Sequence, residues 1–395
     1  MRAVKQKKPS SNYTSHNKIQ LVRAGSDYFS LLLKIINHAR HALYLQVYIL
    51  DYDATGKQVA NALLEAAKRG VEVYLMVDAY ASHTLPRHFV RELKTGGVHF
   101  RFFQPFFKSK YFYIGRRMHH KLIVADAEYC MVGGINIGNR YNDMPGQPGW
   151  LDFALYIHGQ IAREVCLLAR QMWEGIAVKK NAAVCAANEV HFTHGAEEHT
   201  LVRLRRNDWV RSKSDISKTY REMFSTATSH ITILCSYFMP GNMMKKNILR
   251  AVKRGVKVKV IMAGRSDVAL AKNAERFMYD WLLRNRVEIY EYEQNILHGK
   301  LAVCDGRWMT IGSYNINNIS AYASVELNLD VQNPPFAEYT ERVLTNIINT
   351  GCVRITRGYV GKKRSVIKQF INWCSYEIIR SLFFLFTFYF KQRKF

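Results

Sequence analysis

Acidic residues are scarce in this chain. Only 31 Asp and Glu stand against 57 Lys and Arg, for a formal net charge of +26. Solubility alone needs far less, so the imbalance points to an anionic partner, either nucleic acid or an acidic membrane surface. Paired cysteines are also missing. The seven cysteines, at 130, 166, 185, 235, 304, 352 and 374, are odd in number and include no CxxC. That pattern fits reduced, buried thiols in a cytosolic protein. No secretory signal is expected, because Met1-Arg2-Ala3-Val4-Lys5-Gln6-Lys7-Lys8 has no apolar core behind it. The most apolar run, Ser381–Phe390, is too short for a spanning helix. Apolar residues still make up 48% of 395 residues. The chain is therefore globular and long enough for two domains, each with its own core.

What the chain does have is one chemical pattern written twice. His119-His120-Lys121-Leu122-Ile123-Val124-Ala125-Asp126 and His298-Gly299-Lys300-Leu301-Ala302-Val303-Cys304-Asp305 both read H-x-K-x4-D. At the same interval after each histidine comes a small-residue turn and an asparagine, Gly133-Gly134-Ile135-Asn136 and Gly312-Ser313-Tyr314-Asn315. The duplication extends upstream. Leu63–Val73 and Ile248–Val258 both read as the end of an amphipathic helix, a glycine stop (Gly70, Gly255) and a β-branched strand. Strand and helix patterns alternate over Ala42–Leu50, Gly56–Lys68 and Val71–Val77, and again over Ile231–Ser236, Met243–Arg254 and Val256–Met262. The fold class is thus α/β, with βαβ units and helices on both faces of each sheet. A repeat this long means two related domains.

The expected layout is a flexible basic tail over 1–17 and a first domain over 18–177. A connecting segment over 178–199 leads to a second domain over 200–355 and a membrane-interface segment over 356–395. In that last segment, aromatics precede Lys391, Arg393 and Lys394, a composition suited to headgroup depth. A helix packed on the core is the alternative. A second aromatic and basic stretch, Phe102–Arg117, suits either a bilayer or stacked nucleobases.

On a strand, His119 and Lys121 point to one face, as do His298 and Lys300. Docking the halves about a pseudo-twofold axis gives a symmetric pair of His, Lys and Asn. One neutral imidazole can attack phosphorus while the other, protonated, gives its proton to the leaving alkoxide. Lys121, Lys300, Asn136 and Asn315 would bind the phosphoryl oxygens, where charge builds in the transition state. That set suits a phosphodiester and needs neither metal nor cofactor. His119-His120 is a poor chelator, since neighbours on a strand face opposite ways. Each histidine also needs an acid to fix its tautomer. Asp152 and Glu326, acids inside apolar strands, are the candidates. Asp126 and Asp305 complete the motifs and are counted with His119, Lys121, His298 and Lys300 as the catalytic set, although at the strand ends their expected role is to cap the turn and fix the strand.

This pattern resembles the phospholipase D superfamily, whose signature is a duplicated H-x-K-x4-D, over about residues 43–341. It is most similar to the bacterial cardiolipin synthase branch. Gln46–Gly56, Val77–Ser82, Arg117–Lys121 and Gly133–Gly138 carry that likeness. The resemblance implies two tandem α-β-α sandwiches with the active site at their interface. It also implies a phosphohistidine intermediate on His119, with His298 as acid and base. Two departures stand out. Asn317 and Ile319 occupy positions where such synthases often carry Asp and Arg, and the two N-terminal transmembrane helices of some members are lacking, as in a short, peripheral form. The expected activity is condensation of two phosphatidylglycerols to cardiolipin and glycerol on the cytoplasmic side of the cell membrane. The alternatives are a phospholipase D using water, a nucleic-acid phosphodiesterase, or a non-catalytic binding protein. The expected partner is an anionic phospholipid membrane rather than nucleic acid. Oligomeric state is left open.

Overall fold

The computed structural model describes residues 13–104, 116–175, 199–322, 324–358 and 365–391. Most of the expected tail, the connecting segment up to 198 and the centre of the Phe102–Arg117 stretch lie outside the described residues.

The first half runs β1 (Asn17–Arg23), α1 (Ser26–His38), β2 (Ala42–Val47), α2 (Ala54–Lys68), β3 (Glu72–Asp78), α3 (Arg87–Thr95), β4 (His99–Phe103), β5 (Arg117–Met118), β6 (Leu122–Ala125), β7 (Tyr129–Gly133), β8 (Phe153–Gly159) and α4 (Ile161–Glu174). The second half continues with β9 (Leu201–Asp208), β10 (Lys213–Ser214), α5 (Asp215–Thr226), β11 (His230–Cys235), α6 (Asn242–Lys253), β12 (Lys257–Ala263), α7 (Ala269–Phe277), α8 (Tyr279–Arg284), β13 (Glu288–Tyr292), β14 (Lys300–Cys304) and β15 (Trp308–Gly312). It ends with α9 (Asn318–Tyr322), β16 (Ser324–Gln332), α10 (Pro334–Gly351), β17 (Cys352–Ile355) and a C-terminal helix, Val366–Lys391.

Among the described residues there are two sheets of matching order. The first is β1-β8-β7-β6-β2-β3-β4; the second contains β9-β16-β15-β14-β11-β12-β13, extended by β10 and β17 at its edges. In each, three strands run parallel (β2-β3-β4, β11-β12-β13) and the motif strand joins them antiparallel. The local signals are those expected. Asp53 caps α2 by accepting from the Gly56 amide. Gly70 and Gly255, just past α2 and α6, take φ of +86° and +91°, where a Cβ is strained.

Each sheet is buried on both faces. Leu43, Leu45 and Val47 of β2 pack with α1 and α2, while Ala42 and Tyr44 face the other way. That second face belongs to a core shared by the two halves, in which Val132, Phe153 and Leu155 meet Leu301, Ile311, Val325 and Leu327. Backbone pairing crosses the same interface. β5 of the first half runs parallel to β16 of the second, with Arg117 opposite Ser324, and Leu151 bridges Leu297 reciprocally. Asp78, fully buried, holds β5 in place by accepting from the Met118 amide at 2.9 Å.

The sequence reading needs correction at two points. The motif histidines are not on strands: β6 starts at Leu122 and β14 at Lys300. Each histidine stands in the extended segment just before, where the chain crosses to the opposite half. The cysteines are not all reduced. Cys130, Cys235, Cys304, Cys352 and Cys374 are free thiols, but Cys166 on α4 is disulfide-bonded. Spacing gave no sign of this, because such pairing depends on tertiary approach rather than on a local motif.

Among the described residues no helix is long and apolar enough to cross a membrane. The C-terminal helix lies against α7, with Tyr376 on Phe277 and Ile379 beside Met239, Ala271 and Ala274. Its first turns are bare: Val366 is 83% exposed, Ile367 71% and Phe370 61%. The side chains that follow Ser381 lie outside the described residues.

Arg116 and Asp208 form a buried ion pair between the halves at 2.8 Å, with side chains 9% and 0% exposed. Removing one partner strands the other charge, a loss of about 3–5 kcal/mol. Asp208→Asn is expected to lower the denaturation midpoint accordingly. An unchanged midpoint would mean that this pair does not hold the halves together.

Candidate active site

The two motif segments meet at the interface, and the orienting acids are exchanged between halves. His119 Nδ1 lies 2.9 Å from Glu326 Oε2, and His298 Nδ1 lies 2.6 Å from Asp152 Oδ2. Each histidine is thus held by the acid downstream of the other motif. The backbone enforces the crossing: the His119 amide donates to Val325 O, and the His298 amide to Leu151 O. With Nδ1–H donated to a carboxylate, Nε2 of each ring is left free to react.

The acids have no exposed surface. Burial acts to raise the Asp152 carboxyl, but Lys300 and His298 outweigh it and hold it below the ordinary value. Asp152 Oδ1 also accepts from the Phe153 amide. Glu326 is held differently. Ser313 donates its hydroxyl to Oε2 at 2.5 Å, while Oε1 is buried without a hydrogen-bond partner. The first-half counterpart of Ser313 is Gly134, where a Cβ would stand 2.4 Å from Asp152 Oδ1. The G-[GS]-x-N turns therefore differ because one packs on an aspartate and the other serves a glutamate.

Lys121 and Lys300 are 2% and 1% exposed. Each ammonium folds back to donate to the carbonyl of its own motif histidine, His119 or His298. Burial, then the charge of Lys300, drives Lys121 well below its ordinary pKa; burial also lowers Lys300, against the pull of Asp152. Burial favours neutral imidazole at His119, opposed by Glu326. At His298, burial and Lys300 do the same. Two crowded ammonium groups beside two neutral imidazoles make a site suited to an anion, whose charge would restore the lysines.

The asparagines flank this centre with their amide oxygens already engaged. Asn136 accepts from the Ile49 amide and donates to Tyr141 Oη; Asn315 accepts from Ser236 Oγ at 2.8 Å. Three aromatic rings that sequence reasoning missed frame the histidines. Tyr48 stands edge-on to His119 at 4.9 Å between centroids, and Tyr141 and Trp150 lie 5.5 and 6.1 Å from His298. Tyr48 lies within Gln46–Gly56 and Trp150 two residues before Asp152, but nothing in the spacing aims them inward. His120 turns away, its Nδ1 3.4 Å from Gln46 Oε1. Among the described residues no cluster of His, Cys, Asp and Glu could hold a metal.

Asp126 and Asp305 are not brought into the site. They lie at the far ends of β6 and β14. Asp126 accepts from the amides of Arg40, His41 and Ala42, and Asp305 from those of Thr228, Ser229 and His230. Each clamps the start of the neighbouring strand, β2 or β11, and both take positive φ, 54° and 52°.

Three comparisons bear on this geometry. A family model described as "Cardiolipin synthase, PLD-like domain" matches residues 32–145 and 220–348. Cardiolipin synthase B of Salmonella typhimurium (strain LT2) is 30% identical over 352 residues, covering 88% of this chain and 84% of that protein. Cardiolipin synthase B of Escherichia coli (strain K12) is 29% identical over 351 residues, with the same coverage. The phosphatidylserine synthase of Haemophilus influenzae shares the fold at a TM-score of 0.71, with 12% identity over 94% of this chain and 95% of that one.

Partial burial acts to raise the Asp305 carboxyl, but the amides of Thr228, His230 and Ser229 hold it below the ordinary value. Asp305→Ala is expected to lower stability by about 0.5–2 kcal/mol, as for a lost capping carboxylate. Because the folded pKa is depressed, the effect is full above the unfolded value of about 3.9 and fades as pH falls through the folded one. Melting curves of both proteins at neutral pH and near pH 3 check this. A gap that widened in acid would contradict the clamp.

Proposed function

Because the chain belongs to the cardiolipin synthase family of phospholipase D-like proteins, we propose that it is a phosphatidyltransferase joining two phosphatidylglycerols into cardiolipin and glycerol. One observation carries the mechanism: each histidine is fixed through Nδ1 to a buried carboxylate of the opposite half, so that two Nε2 atoms can act on one phosphorus.

In the first step His119 Nε2 attacks the donor's phosphorus. The bond from phosphorus to the glycerol oxygen breaks, and His298 gives its proton to that oxygen. The bound phosphodiester and Asp152 supply the negative charge that lets His298 carry this proton. Lys121 and Lys300, with the amide protons of Asn136 and Asn315, meet the charge on the phosphoryl oxygens. In the second step His298 takes the proton of the acceptor's hydroxyl, whose oxygen displaces His119 from phosphorus. Excluding water until the acceptor arrives favours transfer over hydrolysis.

Purified protein is to be incubated with labelled phosphatidylglycerol vesicles and the products resolved by mass. Cardiolipin and free glycerol are expected, and His119→Ala and His298→Ala should each lower turnover by at least ~10³-fold. Phosphatidic acid as the sole lipid product would make the protein a hydrolase. Near-normal turnover in either variant would overturn the two-histidine scheme.

The same reading has the protein lying peripherally on the cytoplasmic face of an anionic membrane. The net charge of +26 supports it, as do the bare Val366, Ile367 and Phe370. The apolar face contributes transfer energy that salt does not screen, and each nearby cation adds about 1 kcal/mol. Truncation after Ile379 keeps the contact with α7 and removes the aromatic run. It should weaken co-sedimentation with anionic vesicles, with high salt weakening the full-length protein only in part. Equal sedimentation of the two forms would place the membrane contact elsewhere.

A further inference from the structure

The duplication breaks at Arg140. Counted from Asn136 and Asn315, the second-half position equivalent to Arg140 is Ile319. Arg140 sits on a short turn, Asn139–Tyr141. Asp53 anchors that turn by accepting from the Asn139 amide, and Trp150 by donating its own amide to Arg140 O. The guanidinium lies over two rings, 5.6 Å from the Tyr141 centroid and 5.5 Å from that of Trp150. These are the same rings that flank His298. Asp51 pairs with the guanidinium at 2.9 Å, yet Arg140 remains 41% exposed. A planar cation, backed by aromatics and open to solvent, thus stands beside one histidine of the pair.

The reaction itself is asymmetric at that place. In the first step the group leaving past His298 is glycerol, which is neutral. In the second step the hydroxyl arriving past His298 belongs to a molecule with its own phosphodiester, one glycerol away from the reacting oxygen. Only the acceptor brings a second negative charge to this side. The twofold-related lysines and asparagines are committed to the phosphoryl group in transfer. We infer that Arg140 binds the phosphate of the acceptor lipid, displacing Asp51, and so selects a phosphate-bearing alcohol over water or a neutral alcohol. Arg140 is then a specificity determinant, and the inference rests on the phosphatidyltransferase reading. A guanidinium suits the role because it presents paired donors to a phosphate while its faces stack on rings.

The test compares two transfers by the full-length protein on the same phosphatidylglycerol vesicles: cardiolipin formation, and exchange of the headgroup with labelled free glycerol. Both use the same donor, but only the first has a charged acceptor. Arg140→Ala should lower the ratio of cardiolipin formation to exchange by about 10-fold or more, the loss of a charge-assisted contact. The effect should fall on the acceptor's KM, and phosphatidic acid should rise. Arg140→Lys should recover part of the ratio, and Asp51→Asn should not reduce it. An unchanged ratio, whether both activities fall together or neither does, would overturn the assignment and leave Arg140 a structural partner of Asp51. If the unmodified protein forms no cardiolipin and exchanges no glycerol, the transferase reading fails, and this inference with it.

Discussion

Two buried carboxylates, each bonded to a histidine from the other half of the chain, are the constraint on which this structure turns. Asp152 and Glu326 have no exposed surface, and a buried carboxylate is costly unless it is paired. Neither half contains the partner its own acid needs. Docking therefore gives each acid its histidine and, in the same act, fixes the tautomer of both imidazoles. Glu326 lies on β16 and Asp152 directly precedes β8; both strands belong to the shared apolar core, so the hydrophobic drive to dock the halves also sets the position of the acids.

The rest of the site follows from that burial. Ammonium groups crowd neutral imidazoles in a low-dielectric cleft, which disfavours every positive charge in the free protein. A bound anion would offset that penalty, in keeping with the phosphodiester substrate proposed above. The two halves are not identical in detail. Asp152 gains a backbone amide, whereas Glu326 relies on Ser313. The aromatic neighbours differ as well, Tyr48 near His119 and Tyr141 with Trp150 near His298. A twofold scaffold thus holds two histidines in unlike surroundings.

Much of the local structure was legible beforehand because it depends on short-range pattern. Gly70 and Gly255 mark helix ends by their positive φ. The alternation over 42–77 and 231–262 reflects strands buried on both faces between helices. The motif aspartates were expected to cap the turns that follow them; the amides they hold belong instead to 40–42 and 228–230, which only the sheet pairing brings near. Placing the histidines on the strands themselves went astray. Periodicity does not report where an extended segment leaves its own sheet to pair with another, as β5 does with β16.

The sequence by itself determined the duplication, the α/β architecture and the paired His-Lys motifs, because these are carried by residues close together along the chain. Only the tertiary structure decided which acid serves which histidine, that Tyr141 and Trp150 border His298, that Arg140 stands over both rings, and that Cys166 is paired. The physical reason is separation. Those contacts join distant residues, such as His119 with Glu326 and Asp152 with His298, and their geometry exists only once the shared core has closed and brought the two halves into register.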